Sequence, residues 1–515
     1  MVSRYRFNQR SITKGSPLIP GPSRQDLLKL ARQNGFSVSN KELKVFRANM
    51  NQIFASYVEL DLMYSKVGDS YHRNKGYAPI RSKNKYGAWA WRCSIKEKSI
   101  GPLSGKRIAV KDNVNVAGVP LRNGSSILDG YIPEEDAIIV RRILNAGGEV
   151  TGKAQCENLC VSGGSHTSYP VPVKNPRSPE FMAGGSSSGS AALLAAGEVD
   201  MAIGGDQAGS IRIPASWCGV YGLKPTWGLV PYTGVIPMEY DLDHVGPMAN
   251  TIEDLALLLE VIAGRDEFDQ RQRDTPVELP RYTRELKRKV EGMKIGVVKE
   301  GFGLESLSEP DVDEIVRRES LTFERLGASV KEISIPEHLQ GFHIWTGLVM
   351  EGTWNTAIRR NGLEHTSSDL HLIETWAKQR KRKFNNLVPN MKLIALTGSY
   401  IAERYNGRFF AIAQLLRRKL IQAYNAALNG YDLLLMPTTP QKAQKLKRMN
   451  LQEYLNATMC NLYNTCPFDV TGHPALSIPC GTSIDLPVGM MVIGRHFEET
   501  KILRAAYSYE KSKRK

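Results

Sequence analysis

Two serines and a lysine stand where chemistry can happen. The stretch Gly184–Arg212 reads GGSSSGSAALLAAGEVDMAIGGDQAGSIR: two Gly/Ser clusters flank an apolar segment, Ala191–Ala196, and a short apolar run, Val199–Ile203. Glycine lets backbone turn tightly and approach a ligand. Inward-turned N–H groups hold an anion or a developing oxyanion, and a serine there becomes a nucleophile if a base is in reach. In Asp206-Gln-Ala-Gly-Ser210-Ile-Arg212-Ile-Pro214 a serine follows a turn at the end of an apolar strand, and Pro214 suits the first turn of a helix. The N–H groups of Gln207, Ala208, Gly209 and Ser210 can then face one small cavity, with Asp206 and Arg212 pairing to fix the loop. An ordinary serine in a tight turn fits that spacing equally well.

Gly185-Ser-Ser187-Ser-Gly189 fits the G-x-S-x-G nucleophile elbow and makes Ser187 a rival, with His473 or His496 as base. The upstream oxyanion segment that this pattern needs is absent. Lys111 follows Ile108-Ala-Val110 at the end of a buried-type strand. Burial disfavours a charged amine, and a neutral lysine is a usable general base. On the residues alone, a lysine paired with Asp112 or another carboxylate is the better reading.

These residues need a scaffold. Ser23-x-x-Asp26 and Ser39-x-x-Glu42 are capping-box starts, the first for a helix from Leu27 to Gln33. After the second, Leu43, Phe46, Met50, Ile53, Tyr57 and Leu60 recur at helical steps, so residues 23 to about 65 form a small helical unit with an apolar face to cover. Residues 66–104 read as a connecting loop. From Lys106 strands and helices alternate: strands at 107–111, 149–152, 199–204, 294–299, 330–335 and 431–436, helices at 137–145, 214–219, 251–263, 310–326 and 407–428. That alternation predicts an α/β fold with a mixed, largely parallel sheet. Residues 264–292 form a surface excursion, and 340–430 are mostly helical.

The chain has 515 residues, 42% of them hydrophobic, enough for a sizeable core. No apolar run approaches a membrane span, and the N-terminus lacks the apolar core of a secretory signal. The acid-free run before Asp26 reads either as a transit segment or as an ordinary lead-in. Seven scattered cysteines predict reduced thiols in a cytoplasmic setting; Cys156 and Cys160, i,i+4 on an expected helix, read as packed thiols. No metal-ligand spacing is visible. The net charge of +16 is divided among separate patches, Arg281–Lys289, Lys378–Lys383, Lys442–Arg448 and the tail Lys511–Lys515, without a nucleic-acid module. Solvated faces and a frayed tail are expected, and no nucleic-acid partner.

Several long segments resemble the amidase signature family: Ile108-Ala-Val-Lys-Asp-Asn113, Gly184–Ala192, Gly204–Ala215, Cys218–Thr226, Pro467-Phe-Asp-Val-Thr-Gly-His-Pro-Ala475 and Leu486-Pro-Val-Gly489, in the family's order over about residues 86–510. The resemblance implies an α/β core, a mixed, largely parallel twisted sheet covered by helices on both faces, beside the small N-terminal helical unit. It puts the catalytic lysine on Lys111, a bridging serine with a cis peptide bond on Ser186, and the nucleophile on Ser210. Asp206, Arg212 and Ser187 become supporting residues. One departure is Ala208-Gly209, where the family usually has Gly-Gly. The chemistry implied needs no metal or organic cofactor. The wording of Gly228–Gly234 and Asp243–Pro247 is similar to broad-specificity bacterial-type amidases, which form homodimers through such N-terminal helices. The expected layout is a lead-in over 1–22, a helical unit and linker over 23–85, the catalytic domain over 86–510 and a basic tail over 511–515. The expected substrate is a small amide. The rival readings are a glutamine amidotransferase A-type subunit handing ammonia to a tRNA-bound partner, a Ser-His-Asp esterase using Ser187, and a non-enzymatic binding protein. Tyr232, Trp217 and Trp345 are candidates for an aromatic pocket lining.

Overall fold

Runs of aliphatic residues between Gly- and Pro-rich turns become eleven strands of one sheet in the computed structural model, which describes residues 21–64, 73–360, 369–459 and 461–513. In chain order they are β1 Trp89–Ile95, β2 Arg107–Lys111, β3 Glu149–Ala154, β4 Met201–Asp206, β5 Tyr221–Lys224, β6 His244–Ala249, β7 Lys294–Val298, β8 Ser329–Ile333, β9 Leu433–Pro437, β10 Ala475–Ser483 and β11 Leu486–Ile493. Their order across the sheet is β1-β3-β2-β4-β6-β5-β10-β11-β9-β7-β8.

The mixed α/β architecture is as expected, but parallel pairing is not the majority. Parallel pairs join β3, β2 and β4 at one place and β9, β7 and β8 at another. The whole centre is antiparallel. The cause is local. β10 and β11 are joined through Ile484 and Asp485, both with positive φ (50° and 60°), which gives a two-residue hairpin. Ile-Asp lacks the Asn-Gly signal of such a turn, so this stretch read only as broken apolar runs.

Successive side chains in a strand point to opposite faces. Ile108 and Val110 of β2, with Met201 and Ile203 of β4, enter the larger apolar cluster. Ala109 and Ala202 enter a smaller one on the other face, with Ala191, Ala192, Leu193 and Leu194 of the helix Ser188–Ala195. The small strand residues let that helix lie close against the sheet. It is buried on all sides, and Ser186 and Ser187 immediately precede it.

Three local expectations change. The 66–104 loop contains β1, which pairs antiparallel with β3 at the sheet edge; its polar Arg92 and Ser94 and its Gly/Lys-rich flanks hid it. Cys156 and Cys160 do not share an α-helix. Leu159 N–H is drawn to Asn123 O at 2.9 Å, and Leu159 and Cys160 take left-handed φ values of 49° and 64°. The basic tail is ordered as far as Lys513 within the helix Glu499–Lys513, where Lys511 pairs with Glu253 and Lys513 with Glu319.

Contacts divide the chain into two units, Met1–Tyr71 and His72–Lys515. In the first, helices Arg24–Gln33 and Asn40–Tyr64 start at the two capping boxes: Ser23 Oγ accepts from Asp26 N–H at 3.1 Å, and Ser39 N–H donates to Glu42 at 2.8 Å. Phe46, Ile53, Tyr57 and Leu60 of the longer helix are exposed. The lead-in up to residue 20 and the linker at 65–72 lie outside the described residues.

The close helix–sheet contact yields a stability test. Ala202→Leu overfills the space under the helix Ser188–Ala195 and should cost about 1–3 kcal/mol, read as a lowered urea midpoint.

Candidate active site

β2 ends on Lys111, whose side chain is fully buried. Its Nζ lies 2.8 Å from Ser186 Oγ and 3.1 Å from the Gly205 carbonyl. The carboxylate expected beside it is elsewhere. Asp112 turns the other way, 3.3 Å from Lys153 Nζ, and accepts from Arg122 N–H at 3.0 Å. Consecutive residues at a strand end diverge, so Lys111 and Asp112 cannot face one another.

Ser186 follows a cis peptide bond from Gly185, the backbone geometry the resemblance implied. A Cβ on Gly185 would sit 2.1 Å from the Gly164 carbonyl, so only glycine fits there. The Ser186 carbonyl accepts from Glu157 N–H at 3.2 Å, and Ser187 N–H donates to the Ser210 carbonyl at 3.0 Å. That last bond brings the two Gly/Ser clusters side by side. Ser187 Oγ itself both donates to and accepts from the Gly205 backbone, each at 3.1 Å. His473 bonds Thr471 and Asn425, and His496 bonds the Thr471 carbonyl, with the two rings 3.9 Å apart. Neither supplies Ser187 with a base, which removes the geometry of the esterase reading.

Ser210 closes the turn after β4. The Asp206 carboxylate accepts from the N–H groups of Gly209 and Ile211 and from Arg212 at 2.9 and 3.0 Å. Arg212 also reaches Asp469 at 2.6 Å and the Thr465 carbonyl at 2.9 Å, with no exposed surface. Burial alone would raise the Asp206 carboxyl, but the adjoining Arg212 outweighs it and holds the group well below the usual range. Asp469 moves upward, through burial first and then the charge on Asp206.

The Gly209 N–H is therefore engaged by Asp206 and withdrawn from the expected set of four oxyanion donors. Among the described residues, the N–H groups of Gln207, Ala208 and Ser210 have no protein partner. The Gln207 carbonyl accepts from Trp345 Nε1 at 2.8 Å and the Ala208 carbonyl accepts from Thr465 Oγ1. In a trans peptide N–H and C=O point oppositely. Anchoring the Gln207 carbonyl on Trp345 thus sets where the Ala208 N–H points. Ala208 is not among the positive-φ residues, so the Ala-for-Gly departure is accommodated. Gly209 has φ 133°, and a Cβ there would lie 2.3 Å from Thr465 Oγ1.

Ser210 opens on a cavity of about 400 Å³ walled by Gln207, Ala208, Trp345, Val349 and Ile394, with Leu462 from the far side. None of the described residues lining it is charged. A wider groove of about 800 Å³ beside the edge strand β8, lined by Arg317 and Glu332, contains none of these residues. Of the aromatic candidates only Trp345 lines the Ser210 cavity. Trp217 is core, donating to the Gln441 carbonyl at 3.1 Å, and Tyr232 is buried against Gln207 and Arg271.

The family model for the amidases, described simply as Amidase, matches residues 83–503. The chain belongs to the amidase family. It is 39% identical to an enantioselective amidase of Rhodococcus rhodochrous over 95% of this chain and 96% of that one. It is 35% identical to the A-type subunit of a glutamyl-tRNA(Gln) amidotransferase from Methanosarcina mazei over 92% and 96%. The crystal structure of the corresponding glutamyl-tRNA(Gln) amidotransferase chain of Thermotoga maritima superimposes with a TM-score of 0.67 at 32% identity, covering 82% of this chain and 87% of that one. As an amidase-family enzyme the protein hydrolyses amides, and both kinds of relative share its scaffold.

Sequence reasoning missed Glu157. This fully buried carboxylate accepts from Thr167 N–H at 2.8 Å, Thr167 Oγ1 at 2.7 Å, Ser188 Oγ at 3.0 Å and Ser168 Oγ, tying residues 157–168 to the start of the helix that Ser186 precedes. An isolated Glu between Cys and Asn carries no sequence signal for this.

Burial raises the Glu157 carboxyl to about 7 against the pull of those hydrogen bonds. A carboxyl raised on folding supports the fold most when both states are protonated, and that support is lost as pH climbs to the folded value. The stability of the wild type relative to Glu157→Gln should therefore fall between about pH 4.5 and 7 and level off above, by up to about 3 kcal/mol, measured by urea unfolding at stepped pH.

Proposed function

We propose that this amidase hydrolyses uncharged, largely apolar carboxamides through an acyl-enzyme, with Ser210 as nucleophile, Ser186 as proton relay and Lys111 as base. The observation that carries the reading is the buried Lys111–Ser186 contact of 2.8 Å, set beside a serine that opens on an uncharged cavity. With Lys111 uncharged, that contact runs from the Ser186 hydroxyl to Nζ. Ser186 gives its proton to Lys111 and takes the Ser210 proton as Ser210 Oγ bonds to the amide carbon. The carbonyl oxygen becomes an oxyanion, facing the N–H groups of Gln207, Ala208 and Ser210. Collapse expels ammonia or an amine, protonated back through Ser186, and leaves the acyl ester. Water then gives its proton to the same relay, and the carboxylate departs.

A glutamine-hydrolysing role with a tRNA-bound partner has the amidotransferase relatives in its favour. Glutamine carries an ammonium and a carboxylate, and burying them without charged partners costs several kcal/mol. The lining of the Ser210 cavity weighs against it. The exposed stripe of Phe46, Ile53, Tyr57 and Leu60 supports a homodimer through the N-terminal helices.

The purified chain alone, given aliphatic, aromatic and amino-acid amides, should release ammonia from apolar carboxamides and far less from glutamine. Ser210→Ala and Lys111→Ala should each lose at least about a thousandfold in kcat/KM, with Ser187→Ala well above them. Turnover confined to glutamine, or a Lys111→Ala variant with most of its activity, would reject the proposal. Sedimentation velocity tests the dimer, and a monomer at micromolar concentration would end that part.

A further inference from the structure

The mechanism leaves two thiols beside the base unused. Cys156 and Cys160 lie on the segment after β3, and both sulfurs rest on one amide oxygen, Asn123 Oδ1, at 3.6 and 3.1 Å. The left-handed turn at Leu159 and Cys160 folds the second cysteine back toward the first, so that the two thiols hydrogen-bond to each other. Cys160 also hydrogen-bonds Lys111, and it forms part of the wall of the cavity that holds Ser210. It is thus buried from bulk solvent but reachable by a small molecule inside the cavity.

The other described cysteines differ. Burial pushes Cys93 up to about 11 and Cys218 up to about 12, and it takes Cys466 and Cys480 higher still. Burial acts on Cys160 too, but the hydrogen bond from Cys156 and the nearby Lys111 outweigh it, and Cys160 falls below the ordinary thiol value. Cys156 moves the opposite way, through burial and then its bond to Cys160. One sulfur is prepared as thiolate and the other as its proton-bearing neighbour.

We propose that Cys156 and Cys160 form an oxidisable dithiol, a modification site for hydroperoxides that enter the substrate cavity, and that its closure to a disulfide disables the active site. The Cys160 thiolate attacks a peroxide oxygen; the O–O bond breaks, and hydroxide or alkoxide leaves and takes up a proton. The resulting sulfenic acid condenses with the Cys156 thiol, forming the S–S bond and releasing water. Two thiols are oxidised and one peroxide is reduced. Closure draws the Cys160 sulfur off Lys111. It also twists the turn that begins at Glu157, whose N–H holds the Ser186 carbonyl. Base and relay are disturbed together.

The test treats the full-length protein with hydrogen peroxide and maps thiols by mass spectrometry without reduction, a readout independent of any turnover. A Cys156–Cys160 linked peptide should accumulate ahead of oxidation at Cys93, Cys218, Cys466 or Cys480. Carboxamide turnover should fall at least about tenfold and return on adding a thiol reductant. Cys156→Ala, which lacks the resolving thiol, should keep turnover within about twofold before treatment but lose it irreversibly under peroxide, as Cys160 passes to the sulfinic acid. Free thiols at both positions once other cysteines have reacted would overturn the proposal. So would a linked peptide with undiminished turnover, or equal recovery of wild type and Cys156→Ala.

Discussion

A guanidinium with no exposed surface, set between two buried carboxylates, governs the rest of the site. Removing Arg212 and its partners from water is costly, and the arrangement holds only because its hydrogen bonds are well directed. Asp206 takes both the Nε and an Nη of Arg212, and the same carboxylate also takes the N–H groups of Gly209 and Ile211. One side chain therefore fixes the loop that presents Ser210. Asp469 and Thr465 grip Arg212 from the C-terminal part of the chain, more than 250 residues away. The turn is positioned from both ends of the sequence, which explains why its backbone can hold a left-handed Gly209 against the Thr465 hydroxyl.

The same network explains a difference between motif and geometry. Read as a string, residues 207–210 offer four equivalent amides. In the structure one belongs to Asp206, and the direction of another follows from a carbonyl anchored on Trp345. Trp345 comes from a helix far along the chain, so the wall of the cavity and the aim of the loop are coupled.

The chemistry was legible because it is local. Lys111, Ser186 and Ser210 stand at the ends of short, strongly patterned elements, where a buried strand runs into a Gly-rich turn. Capping boxes at Ser23 and Ser39 were equally plain, since each involves residues three apart. What could not be read depends on long-range pairing. β1 is an edge strand stabilised by β3, and the β10–β11 hairpin turns on Ile484 and Asp485, residues with no turn signature of their own. Glu157 and the pairing of Asp112 with Lys153 are decided by which neighbours the fold brings to a buried carboxylate, a question that sequence spacing does not address.

Catalytic groups and acyl cavity therefore have different structural origins. Lys111, Ser186 and Ser210 hang from β2 and β4 and the helix beside them, where the parallel β3–β2–β4 register and the alanines at 109 and 202 leave little freedom. The cavity is walled by Val349 and Ile394 from helices outside the sheet, and by Leu462. Apolar walls contribute mainly through the area they cover, so an exchange of one aliphatic residue for another there changes the fit by about 1–3 kcal/mol without moving the base or the relay. A charged substrate is another matter, because a buried charge needs a specific partner. Shifting this scaffold between an apolar amide and glutamine thus requires a charged side chain to be gained in the wall. Such a change lies outside the segments that carry the resemblance, which is why those segments show the chemistry and leave the acyl group to the helices.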